Sequence, residues 1–370
     1  MINTHYMSLF RLALMLGLLV QVCGSPAWAQ DGLSESAIGE LARVTVGDDQ
    51  LRDKPPAVDR PEFIPVTDAA LFLDPNEVVF VEESPGGGGE AIIYPQSILV
   101  MHEVLNISEQ GRRRCVTYSP LTGSVAGYLA KAGPHSTTFG TMGLLINSNR
   151  VVYDRATMSW WPQLLGIAIK GPLKGQRLER FPLLWTRWKL ASKKYPQAQV
   201  LSRRTGHRVR YGKDRYGSYA KAGTYYDTGG SYYPLSHVDT SLHPKERILG
   251  LAEGEVSLAL IEAEIKRQGV ASVEFGLSPV VAIYDQSLDA VRVFSAVADG
   301  RNLHFETAGS AIVDIETRSH WNVMGQSTEG RLRGMTLERV AAMDCMWFAW
   351  KAFYPYTNVW GRQGNDGTLF

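Results

Sequence analysis

The chain is poor in the groups that usually announce chemistry. It has three cysteines in 370 residues, which excludes a disulfide-stapled scaffold. Its eight histidines include no His-x-x-x-His pair, which argues against a zinc site of the usual spacing. There is no Gly-x-Ser-x-Gly nucleophile elbow. The glycine run of ESPGGGGEA lacks the Gly-Lys-Ser/Thr of a phosphate loop and reads as a flexible hairpin tip. Beyond residue 30 no stretch of 18 uninterrupted apolar residues occurs, so no transmembrane helix is expected there. Net charge is also lacking, with 38 basic against 37 acidic side chains. What remains, 45% hydrophobic and 20% charged, is ordinary globular composition. The length is enough for two domains with cores of their own.

The N-terminus departs from this plainness. Arg11 precedes the apolar LALMLGLLVQV, then GSP, then Ala27-Trp28-Ala29. A basic n-region, an apolar h-region and an A-x-A site together describe a secretory signal, so export with cleavage after Ala29 is expected. Cys23 raises lipidation as an alternative, but a bulky Val precedes it directly. Cleavage removes one basic residue, leaving 37 against 37 acidic, and two cysteines, Cys115 and Cys345. These two could pair only if the two halves of the chain touch.

The chain repeats itself. DRATMSWW at 154–161 recurs as DIETRSHW at 314–321, so Asp154, Thr157, Ser159 and Trp161 return as Asp314, Thr317, Ser319 and Trp321. GPLKGQRLER at 171–180 matches GRLRGMTLER at 330–339, and WTRWK at 185–189 matches WFAWK at 347–351. Several separated motifs in one order indicate a duplication. Within each copy, short β-branched and aromatic runs such as VVFVEE, RRCVTY and RVVYD, punctuated by Gly, Asn, Asp and Pro, predict strands. YPQSILVMHEVL predicts a short helix after Pro95. Trp185 and Trp188, three apart before Pro196, predict a helix closing each copy.

The expected fold is therefore α+β, mainly β: two duplicated β-rich domains in a pseudo-twofold arrangement, each ending in a short Trp-containing helix. The expected division is a signal peptide at 1–29, an acidic extended arm at 30–66, repeat 1 at 67–203, a Gly/Tyr-rich strap at 204–243, repeat 2 at 244–362 and a tail at 363–370. Tyrosine at the density of YGKDRYGSYAKAGTYYDTGGSYYPLSH suggests a strap packed over the interface between the copies.

YPQSILVMHEVLN, VTYSPLTGS, FGTMGLLINSNRVVYDRATMSWW, GPLKGQRLE, HPKERILG and WFAWKAFYPYTNVWG together resemble a family of exported proteins, domain-of-unknown-function family number three-one-seven-nine. The likeness covers about residues 67–362. It implies an exported two-copy protein and no established activity. One departure matters. Where the family commonly has Tyr-Cys-Pro-Leu-Cys-Gly-Ser, this chain has Ser119 and Thr122. A Cys-x-x-Cys turn suits soft-metal or dithiol chemistry, and hydroxyls at those positions support neither.

Candidate catalytic residues are His102, Glu103, Ser119 and Thr122, with His102 and Cys115 as metal-ligand candidates. Each has a plain structural alternative. Ser119 is followed by Pro120, which has no N–H to offer an oxyanion, so a Ser-Pro turn accounts for it. His102 could be a partly buried ring bonded to backbone, and Cys115 a small core hydrophobe. The paired tryptophans read as core packing repeated twice.

Charge is distributed unevenly. Residues 170–215 carry fourteen Lys/Arg and two acids, while 31–90 carry fourteen acids and four bases. Either the acidic segment folds over the basic one, or the basic stretch is a face for an anionic glycan or lipid. Its centre is Arg203, Arg204, His207, Arg208, Arg210, Lys213 and Arg215. Arg interleaved with Tyr also suits nucleic acid, which an exported protein meets less often. The reading that follows is an exported, non-catalytic binding protein of unknown ligand and cofactor, possible partners being anionic surfaces or polymers. The alternatives are a metal or thiol-redox protein with a degenerate site, and an enzyme with a cleft between the repeats.

Overall fold

A computed structural model describes residues 33–84, 90–109 and 111–362. The expected signal peptide, the centre of the ESPGGGGEA tip and the tail at 363–370 lie outside the described residues. The fold is α+β and mainly β, with six short α-helices among the described residues: α1 Glu35–Arg43, α2 Val66–Ala69, α3 Gln96–His102, α4 Trp188–Lys194, α5 Glu262–Gln268 and α6 Trp347–Phe353. Among the described residues no helix is long and apolar enough to cross a membrane.

A five-stranded sheet runs Leu184–Arg187, Val78–Glu83, Ala91–Pro95, Gln199–Leu201, Phe63–Pro65. A larger sheet runs Asn358–Trp360, Val256–Ile261, Arg247–Glu253, Met343–Met346, then Ser124–Leu129, Arg112–Ser119, Val104–Glu109. This sheet joins the two halves of the chain, through the pairing of Asp344 with Val125. Val270–Phe275, Ser278–Asp285 and Ala290–Ser295 form a separate three-stranded sheet. The apolar run VVFV is buried along its whole length, as expected of a strand covered on both faces.

The stretch read as an extended arm contains α1. Ser34 caps it by accepting the Ala37 N–H at 3.2 Å, with Glu35 in its first turn and Arg43 in its last, the arrangement that complements a helix dipole. Trp185 is not helical. It lies in the Leu184–Arg187 strand opposite Phe80, and α4 begins only at Trp188. Its three-residue spacing from Trp188 mimics a helical stripe, but ladder bonds to Val78–Val81 hold the first half extended.

The repeated Asp-Thr-Ser-Trp motifs make the same turn twice. The Asp154 carboxylate accepts from Thr157 N at 2.7 Å, Thr157 Oγ1 at 2.8 Å and Trp161 Nε1 at 3.1 Å. The corresponding distances at Asp314 are 2.6, 2.9 and 2.9 Å. With the Ser159 and Ser319 N–H groups, at 3.2 and 3.1 Å, four donors satisfy a fully buried carboxylate in each case. Glycine follows for a steric reason: at Gly171 and Gly330, both at positive φ, a Cβ would come within 2.6 and 2.7 Å of the Ser159 and Ser319 Cα atoms.

Candidate functional site

The turn at 119–124 is sealed. Ser119 pairs with Ser124 across the hairpin, Pro120–Thr122 form one 3-10 turn, and Gly123 closes it in the left-handed region. A Cβ on Gly123 would press on Met346 and the Tyr219 hydroxyl. Every hydroxyl in the turn is buried and partnered. Thr122 Oγ1 and Ser124 Oγ lie 2.8 Å apart, Asn149 Nδ2 donates to Thr122 Oγ1 at 2.9 Å, and Ser124 donates to Gln163 Oε1 at 2.7 Å. Asn149 Oδ1 in turn accepts from Leu164 N at 2.8 Å. Ser119 Oγ accepts the backbone N–H of Arg150 at 3.1 Å. None of these partners is a base, so nothing here activates a nucleophile. The arrangement is a filled polar network that ties two hairpins together.

Glu103 connects to this network; His102 does not. Glu103 ends α3 at φ 61° and forms a two-pronged pair with Arg150, at 2.6 and 2.9 Å. That commits its carboxylate to structure. His102, fully buried, donates Nδ1–H to the Pro56 carbonyl at 2.8 Å, and its Nε2 accepts the Tyr211 hydroxyl at 2.7 Å. Burial pushes its pKa down, Pro56 partly opposes this, and the His207 ring, 5.2 Å away, adds to it. Neutral His102 is thus a bridge between the 55–58 segment and the strap.

Cys115 is fully buried opposite Asn106 and Tyr128, and Cys345 opposite Ile248. Both thiols are free, and burial pushes both up, away from the reactive thiolate form. No group of three or more His, Cys, Asp or Glu that could hold a metal is found among the described residues.

The basic centre divides in two. Arg203 lies over the Phe72 ring at 4.3 Å and donates to Phe72 O at 3.2 Å. Arg204 is 3.7 Å from Glu62, and His207 donates to Ala57 O at 3.1 Å. Arg208, Arg210, Lys213 and Arg215 are exposed and have no ion-pair partner among the described residues. Among the described residues only two ion pairs, Lys174–Glu35 and Arg204–Glu62, join the basic and acidic segments. Other acids of 31–90 pair elsewhere: Asp59 with Arg155, and Glu83 with Arg292 and Arg339.

A site that residue patterns did not single out lies at His243-Pro244-Lys245-Glu246-Arg247. The Pro244 and Glu246 carbonyls accept the Phe348 and Trp347 N–H groups at 3.0 and 2.8 Å, using the open first turn of α6. Lys245 is pinned between them. A cleft of about 370 Å³ opens here, lined by Tyr226, His243, Lys245, Glu246, Glu262 and Lys266 among others. Lys245 is only 5% exposed, and its amine has no hydrogen-bond partner. It rests 3.3 Å from the centre of the Tyr225 ring and 4.7 Å from that of Phe348. Burial pushes it down to about 7; the ring faces favour the cation and work the other way. Beneath it Arg247 bonds Glu262 and Asp344, each at 2.6 Å, and Lys266 bonds Glu262 at 3.0 Å. Burial opposes the Glu262 charge, but Arg247 and Lys266 outweigh it and hold that carboxyl low, while burial pushes Asp344 up. Tyr225, whose ring covers the Lys245 amine, donates to Leu121 O in the sealed turn at 2.6 Å.

A strand-dominated α+β fold, one filled polar turn and one charged cleft define the protein as far as geometry goes. The chain belongs to the family described as Protein of unknown function (DUF3179), which it matches over residues 52–357. No curated protein and no solved structure matches it.

Proposed function

We propose that the chain is an exported binding protein without catalytic activity, built from two copies of one β-rich unit in a pseudo-twofold arrangement. It engages anionic polymers or surfaces through its strap. The observation that carries the binding role is the set Arg208, Arg210, Lys213 and Arg215, exposed on one irregular segment with no ion-pair partner among the described residues. Such a cluster attracts polyanions, and its effect is screened by salt. The sealed turn supports a non-catalytic reading, because Ser119 and Thr122 have no base and Glu103 is spent on Arg150.

The duplication is supported by strand order. Leu184–Arg187, Val78–Glu83, Ala91–Pro95 and Gln199–Leu201 lie side by side in the order of Met343–Met346, Arg247–Glu253, Val256–Ile261 and Asn358–Trp360. The twin Asp154 and Asp314 turns agree with it. Export rests on the Arg11 to Ala29 pattern, and an N-terminus at Gln30 in protein recovered from outside the cytoplasm would test it.

Heparin chromatography tests the binding role. The wild type should be retained and elute with salt. A variant with Arg208, Arg210, Lys213 and Arg215 all changed to Ala should elute at clearly lower salt. Identical elution, with no loss of binding to anionic vesicles in the variant either, would sink the proposal. Vesicles containing an anionic lipid form the second arm; binding to these but not to heparin assigns the anion to a membrane surface.

A further inference from the structure

We propose that the cleft beside α5 and α6 binds a small carboxylate-bearing molecule, with Lys245 as its anchor. An ammonium carries three donors, and here the protein accepts none of them. Leaving such a group buried and unbonded is costly. The Tyr225 and Phe348 rings cover the amine in this structure, so a ligand oxygen becomes its acceptor once the flexible lysine side chain swings off these rings into the cleft that the residue lines.

The architecture does not demand a buried lysine at this place. The first half of the chain has the same bracket: Pro75 and Glu77 carbonyls accept from Lys189 N and Trp188 N at 3.0 and 2.8 Å, starting α4. The residue between them is Asn76, which is exposed. Only in the second half is the central side chain a lysine, roofed by the strap's Tyr225.

The surroundings narrow the ligand. Arg247 and Lys266 are already paired with Glu262, so they add little net positive charge. Asp227, Glu246 and Glu262 line the same cleft and would repel a polyanion. One carboxylate facing one amine is the charge that fits. Glu246 has no ion-pair partner among the described residues, so a ligand ammonium can sit opposite it. Amino acids, free or as the end of a short peptide, therefore fit better than a simple acid. A volume of about 370 Å³ holds a molecule of this size.

Calorimetric titration of the full chain with acetate, glycine and glycylglycine tests this. Glycine should bind, acetate more weakly, and Lys245→Met should weaken glycine at least tenfold. Glycylglycine binding as well as glycine would assign the site to peptide ends; glycine alone would assign it to free amino acids. Glu246→Gln, which leaves the lysine in place, should erase the advantage of glycine over acetate. Absence of binding by all three probes, or equal binding by Lys245→Met, overturns the proposal. The strap variant should keep glycine binding, and Lys245→Met should keep heparin retention, so the two proposals fail separately.

Discussion

The starts of α4 and α6 are the same piece of backbone carrying different side chains. In both, a Pro-x-Glu segment offers two carbonyls to the first N–H groups of a helix that opens with Trp. At the first, Asn76 points to solvent and nothing covers it. At the second, Lys245 is covered by Tyr225 from the strap and flanked by Phe348, where α4 has the exposed Lys189. The backbone solution is a requirement of helix initiation and recurs. The buried amine is an addition to it, which is why it carries functional weight. The sealed turn at 119–124 teaches the converse: each of its polar groups has a partner, so structure alone accounts for them.

That contrast can be broken most severely in the first half. Arg150→Met would leave Glu103 buried without its counter-charge and should cost about 3–5 kcal/mol. Urea unfolding measures it, and a loss below 1 kcal/mol would mean that the pair is not sealed as described. A smaller effect concerns His102. Its pKa is lowered below the ordinary 6.5, so the unfolded chain takes up its proton first as pH falls. Stability from this group is present above pH 6.5 and is lost as pH drops through the lowered value. His207 and Tyr211 are the titratable groups facing it. His102→Gln should flatten that acid limb, read as the change in urea midpoint between pH 7 and pH 5.

The smallest effects sharpen the comparison of the two brackets directly. Asn76→Ala should stay within about 0.5 kcal/mol of wild type, as exposed substitutions do. Lys245→Met should stabilise by roughly 1 kcal/mol, because an uncompensated buried charge is removed. The sign with pH follows from a folded value of about 7 against the ordinary 10.5. The penalty is fully present below pH 7 and is relieved as pH rises towards 10.5, so the advantage of the Met variant should fade over that window.

Much of the fold was legible. VVFVEE, RRCVTY and RVVYD are strands, QSILVMH after Pro95 is a helix, and the helices after Arg187 and Met346 begin at the tryptophans. Trp185 was misread because three-residue spacing at a strand-helix junction imitates a helical face. The site was less legible. HPKERILG was visible as a motif of the family likeness, but nothing local says that Lys245 is buried. Setting DPNE beside HPKE would have raised the question, since one position of a shared bracket changes from Asn to Lys.

Sequence by itself determined the local backbone: where Gly, Pro and Asp turn the chain, where β-branched runs extend it, and that its motifs recur. These depend on neighbours a few residues away. Tertiary structure alone decided which charges are paired and which are stranded. Glu103 finds Arg150 at a distance of 47 residues, and Lys245 is covered by Phe348 from far along the chain. Desolvation and pairing depend on whatever the fold brings alongside, and that is where the sealed turn and the open cleft part company.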